Sequence, residues 1–98
     1  MFVNVIKTYR CVVAVCDENL LGEKFEENKF QLDVKENFFM GKKTSEKETI
    51  EIMKQMFVED ATFNIIGEES VNAAIKAEII SKENINKING IPFSLALS

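Results

Sequence analysis

Ala61-Thr62-Phe63-Asn64-Ile65-Ile66-Gly67-Glu68 is the stretch on which the fold of this chain turns. Residues 61–66 are rich in β-branched and aromatic side chains and predict a strand, although a run this short also fits buried helix. Glycine stops the run, and an amphipathic pattern with Val71, Ala74, Ile75 and Ile79 on one side follows at once. That pattern predicts a helix over about 68–79, with Glu68 and Glu69 at the positive end of its dipole. The first N–H groups of any helix lack intrahelical partners, so such a corner attracts an anion or a partner carboxylate. The candidate binding residues are therefore Asn64, Gly67, Glu68 and Glu69, joined by Asp17. Asn64 has two readings: an amide bonded to nearby backbone that braces the corner, or one that faces a ligand or partner. A lone Gly-Glu junction lacks the repeated glycines of a phosphate loop.

Working outward toward the N-terminus, residues 2–7 and 11–16 read as two strands joined by a short polar break, hence an antiparallel hairpin. Residues 11–16 are apolar throughout, as a strand covered on both faces should be. Asp17 ends that run and is expected to cap a helical turn over 18–21 that stops at Gly22. Phe30-Gln31-Leu32-Asp33-Val34 alternates and predicts a strand with Phe30, Leu32 and Val34 inward. Gly41-Lys42-Lys43 reads as a loop. Ser45-Glu46-Lys47-Glu48 has the form of a capping box, so a helix is expected over about 46–57, with Ile50, Met53, Met56 and Phe57 inward. Residues 85–89 and 92–97 read as two short strands around Gly90 and Pro92. The sum is one α+β domain over 1–98: an antiparallel or mixed sheet covered by two main helices.

Composition narrows the functions. A chain of 98 residues with 46% hydrophobic residues can bury about 65% of its unfolded surface, enough for a core without staples. The net charge is −4, with no basic field in either half, which disfavours nonspecific binding to duplex nucleic acid. An RNA or phosphate contact through Lys42, Lys43 and Lys47 is the remaining nucleic-acid alternative. Cys11 and Cys16 lie five apart, on opposite faces of one strand, so they can neither bond nor share a metal. The chain has no histidine, which removes the usual zinc donor set and any imidazole base for a cysteine nucleophile. We therefore expect no catalytic residue, metal or cofactor. The absence of a basic leader or a long apolar run leads us to expect no membrane span and a cytoplasmic, reducing setting.

Several motifs align along nearly the whole chain. Cys16-Asp17-Glu18-Asn19-Leu20-Leu21-Gly22-Glu23-Lys24-Phe25 has the form C-D-x-x-L-L-G-x-x-F, and Asn64-Ile65-Ile66-Gly67-Glu68 precedes a V-x-x-A-I helix. With the glycine–proline tail at Gly90-Ile91-Pro92, the chain resembles the small archaeal proteins of the family of unknown function DUF424. The family has no settled activity; the resemblance implies at most an accessory role beside the ribosome or an initiation factor. Two departures stand out. Pro92-Phe93-Ser94-Leu95 replaces a Pro-His-Ala-Gln-like tail, and Glu78 replaces a helix-ending glycine, which predicts a helix one turn longer. The leading expectation is a non-enzymatic module with a protein partner. The alternative is a small enzyme acting on a phosphorylated or carboxylated substrate at the Asn64–Glu69 corner.

Overall fold

The computed structural model describes residues 1–97. A mixed sheet of six strands forms its centre, built from β1 (Phe2–Lys7), β2 (Cys11–Cys16), β5 (Lys42–Lys43), β6 (Thr62–Ile66), β7 (Asn86–Ile88) and β8 (Ile91–Leu97). Their order across the sheet is β5-β1-β2-β6-β8-β7. A separate two-stranded hairpin pairs β3 (Lys24–Glu27) with β4 (Phe30–Asp33). The fold is α+β, as the residue patterns predict, and the sheet is mixed.

β1 and β2 form the expected antiparallel hairpin, with Val3 opposite Val15 and Val5 opposite Val13. β2 and β6 then run parallel, Ala14 beside Asn64. Parallel neighbours need a long crossover. Here it contains a 3-10 turn at Glu18–Leu20, the β3–β4 hairpin, the single-turn α1 (Glu36–Phe39), β5 and α2 (Glu46–Val58). β6 leads directly into α3 (Glu68–Lys76).

The sheet separates two apolar clusters. Val13, Val15, Phe63 and Ile65 meet Met53 and Met56 of α2 and Val71 and Ala74 of α3 on one face. Ala14, Cys16 and Ile66 meet Leu20, Leu32, Val34 and Phe39 on the other. α2 starts where the sequence predicts, because the Ser45 hydroxyl accepts from the Glu48 amide at 3.2 Å.

Several expectations need correction. Phe57 lies outside the α2 core stripe and is exposed, and Thr49 takes the inward position. Positions 49, 53 and 56 follow the helical period, and the Thr49 hydroxyl is satisfied by the Ser45 carbonyl at 2.7 Å. Phe30 is also exposed, since it flanks the β3–β4 turn at the end of the hairpin. Lys42–Lys43 is a short edge strand rather than a loop. α3 ends at Lys76 despite the missing glycine, with Glu78 itself adopting a φ of 61°.

Candidate functional site

The strand-to-helix junction falls at Gly67, where the sequence places it: β6 ends at Ile66, Gly67 caps, and α3 begins at Glu68. The expected open donors are not there. The Asp17 carboxylate fills the corner, accepting from the Glu69 amide at 3.1 Å, the Ser70 amide at 2.8 Å and the Ser70 hydroxyl at 2.7 Å. Asp17 is 6% exposed. Its side chain makes no capping bond to the 3-10 turn that follows it, so the helix it caps is α3, more than fifty residues away. The cause is the parallel pairing. Cys16 stands beside Ile66, and the Asp17 amide donates to the Ile66 carbonyl at 3.1 Å, which sets the two strand ends side by side.

Gly67 is fixed by the same contact. Its φ is 111°, and a Cβ added there would lie 2.3 Å from the Asp17 carboxyl carbon. Only glycine combines that backbone with that space. The amide of Gly67 is itself used, donating to the Pro92 carbonyl at 2.8 Å. Glu68 and Glu69 stand exposed at the rim. Glu68 borders a cavity of about 240 Å³ with Asn72, Lys87 and Pro92, which neither Asn64 nor Asp17 lines. That is smaller than the roughly 300–1,000 Å³ typical of small-molecule sites.

Asn64 is separated from this corner by the pleat. Its neighbours Phe63 and Ile65 point into the cluster under α2 and α3, so Asn64 points to the opposite face. It sits between Ala14 on β2 and Leu95 on β8. It is half-buried, and no side-chain hydrogen bond of its amide is formed among the described residues. The next row toward the open end of the sheet is Ile6, Val12, Thr62 and Leu97. The hairpin and α1 cover only the other end of this face. Leu95 and Leu97 are 62% and 74% exposed. Sequence reasoning missed these two leucines, whose alternation with Ser94 and Ala96 was the available signal.

Two of the three candidate phosphate-binding lysines are held in ion pairs. Lys42 pairs with Glu48, and Lys43 pairs with Glu18 at 3.0 Å. Lys47 is exposed on the first turn of α2. The cysteines lie on opposite faces, Cys11 half-buried against the helix-side cluster and Cys16 buried in the other. Burial, reinforced by the charge of Asp17, pushes the Cys16 thiol up to about 11. At neutral pH it is a protonated thiol and a poor nucleophile. Among the described residues no three Cys, Asp or Glu side chains gather into a set that could hold a metal ion. No helix of the described residues is long and apolar enough to cross a membrane.

These features define a small α+β domain whose strand-to-helix corner is closed by its own carboxylate and whose sheet is left half uncovered. The chain belongs to the family described as protein of unknown function (DUF424), which matches residues 7–97. Its structure is similar to the crystal structure of an uncharacterised conserved protein from Methanopyrus kandleri. The two share 22% identity over 98% of this chain and 89% of that one, with a TM-score of 0.88, a likeness that speaks for the fold. A comparison with curated proteins gives no match.

Proposed function

We propose that this chain is a non-enzymatic protein-binding module that engages its partner through the uncovered half of the sheet. The observation that carries this reading is the exposed pair Leu95 and Leu97, which continues a row of half-buried Ile6, Val12 and Thr62 beside the amide of Asn64. Exposed apolar side chains beside a polar group are costly in water and suit an interface. The strand-to-helix corner supports the enzyme alternative less well, because its donors are taken by Asp17 and its carboxylates at Glu68 and Glu69 face solvent. We further propose that this partner belongs to the translation apparatus.

The test is affinity capture from native extract with the wild-type chain and with a Leu95→Lys/Leu97→Lys variant. Each captured protein is identified by mass spectrometry and rebound as a purified component. We expect a partner whose purified form binds the wild type and loses at least about tenfold in affinity with the variant, as removal of buried apolar anchors should cause. Equal binding to both proteins would move the interface elsewhere. Absence of any purified partner that rebinds would overturn the module reading.

A further inference from the structure

We infer that the outer edge of β1 binds an extended peptide segment that adds to the sheet as a strand, and that this segment carries an acidic and an aliphatic residue two positions apart. This inference rests on the binding-module reading for the existence of a protein partner, and it names the partner's chemistry and a second point of attachment.

Met1 and Thr44 exchange bonds in both directions, Thr44 donating to the Met1 carbonyl at 2.8 Å and the Met1 amine to the Thr44 carbonyl at 3.2 Å. In an antiparallel pair such exchanges recur every second residue, so the odd-numbered residues of β1 turn their backbone groups toward β5. β5 covers only Phe2 and Val3. The N–H and C=O groups of Val5 and Lys7 therefore face an open lane that begins where Gly41 packs against Val3 and Asn4. They have no strand partner on that side among the described residues. The same alternation directs Asn4 and Ile6 toward β2, so filling the lane would disturb no existing ladder.

The lane is shaped for side chains as well. A groove of about 470 Å³ runs along it, with Val5, Ile52 and Met56 as apolar walls and Lys7, Lys42 and Gln55 at its margins. A strand placed beside β1 would set the residue opposite Val5 over Ile52 and Met56, where an aliphatic side chain fits. The residue opposite Lys7 lies two positions away on the same face. Lys7 is exposed and, unlike Lys42, has no ion pair among the described residues, and Arg10 in the adjoining turn adds a further positive charge. An acidic side chain completes that position. A second copy of this chain is a poorer occupant, since edge-to-edge pairing would bring two sets of Lys7 and Arg10 together and like charges across strands repel.

The probe is an acetylated and amidated decapeptide of threonines interrupted by a single Glu-Thr-Val core, titrated into the 15N-labelled protein. We expect shift changes centred on Val5, Lys7 and Lys42, slowed amide exchange at Val5 and Lys7, and weakening with added salt. Lys7→Pro removes one outward donor without touching the β1–β2 ladder, and Lys7→Glu reverses the charge with no backbone change. Each should weaken binding by about threefold to tenfold. A matching peptide with Lys in place of Glu should bind worse than the acidic one. Undiminished binding by Lys7→Pro, equal binding of the two peptides, shifts confined to other edges, or no shifts at millimolar peptide would each overturn the inference. A concentration-dependent dimer abolished by Lys7→Pro would overturn the peptide assignment in favour of self-pairing. Binding by Lys7→Pro can fail while capture through Leu95 and Leu97 survives, so the two readings stand or fall separately.

Discussion

At the scale of single residues, Asp17 has the most consequential position in the molecule. Its carboxylate accepts three hydrogen bonds at the start of α3 while almost fully buried. Charge-assisted bonds at a helix N-terminus are among the stronger polar contacts, and donors left unsatisfied in the interior are expensive. Asp17→Asn keeps the shape but turns an amide toward one of the two donor N–H groups. It should lower unfolding stability by about 2 kcal/mol, and Asp17→Ala by somewhat more. Urea unfolding checks both. A loss below about 0.5 kcal/mol for Asp17→Ala would mean the corner is held by packing alone. The sequence offered Asp17 and Gly67 as separate signals, one a local cap and the other a backbone pivot. Their junction was not legible, because nothing local announces that Cys16 and Ile66 stand side by side in parallel strands.

At the scale of elements, the helices were legible by period and their ends only in part. Ser45 announced the start of α2 because capping is chemistry within four residues. The C-termini followed a rule that residue identity concealed. α3 closes with the Glu78 amide donating to the Ile75 carbonyl and the Ile79 amide to the Ala74 carbonyl, both at 3.0 Å. α2 closes the same way through Asp60 and Ala61, onto the carbonyls of Phe57 and Met56. This double closure requires a left-handed residue, normally glycine, and here Glu78 and Asp60 adopt it with φ of 61° and 58°. A side chain in that region carries strain of about 1 kcal/mol, which glycine relieves in part after its own entropic cost. Glu78→Gly should therefore raise unfolding stability by up to about 1 kcal/mol, read as a higher urea midpoint at unchanged slope. A lowered midpoint would show that the glutamate side chain contributes more than its backbone costs. The β7–β8 turn was more legible than our reading of it: Asn89-Gly90, both at positive φ, is the pair that specifies a tight two-residue hairpin.

At the scale of the whole molecule, the pieces divide by how they are attached. β2 and β6 are paired on both sides and buried under α2 and α3 on one face, with Val13, Val15, Phe63 and Ile65 fully inside. The β3–β4 hairpin shares no ladder with that sheet. It is tied by backbone bonds between Val34 and the Gly22–Glu23 segment, by the Glu27 carboxylate accepting from the Asn89 amide at 2.8 Å, and by burial of Leu32, Val34 and part of Phe25. Alternating side chains revealed β4 as a strand, but its separation from the main sheet depends on a crossover that no short window encodes. The two attachments predict different opening energies. Native-state hydrogen exchange should show the ladder amides of Phe25 and Leu32 opening at roughly 2 kcal/mol or more below those of Val13, Val15 and Phe63, in a step that leaves the sheet intact. Exchange of both sets at one common free energy would mean that the hairpin is part of the cooperative core. Hairpin opening would also uncover Cys16, Ile66 and Phe93, extending the apolar face that Leu95 and Leu97 begin. The part of the molecule that opens first therefore borders the surface through which we propose it binds.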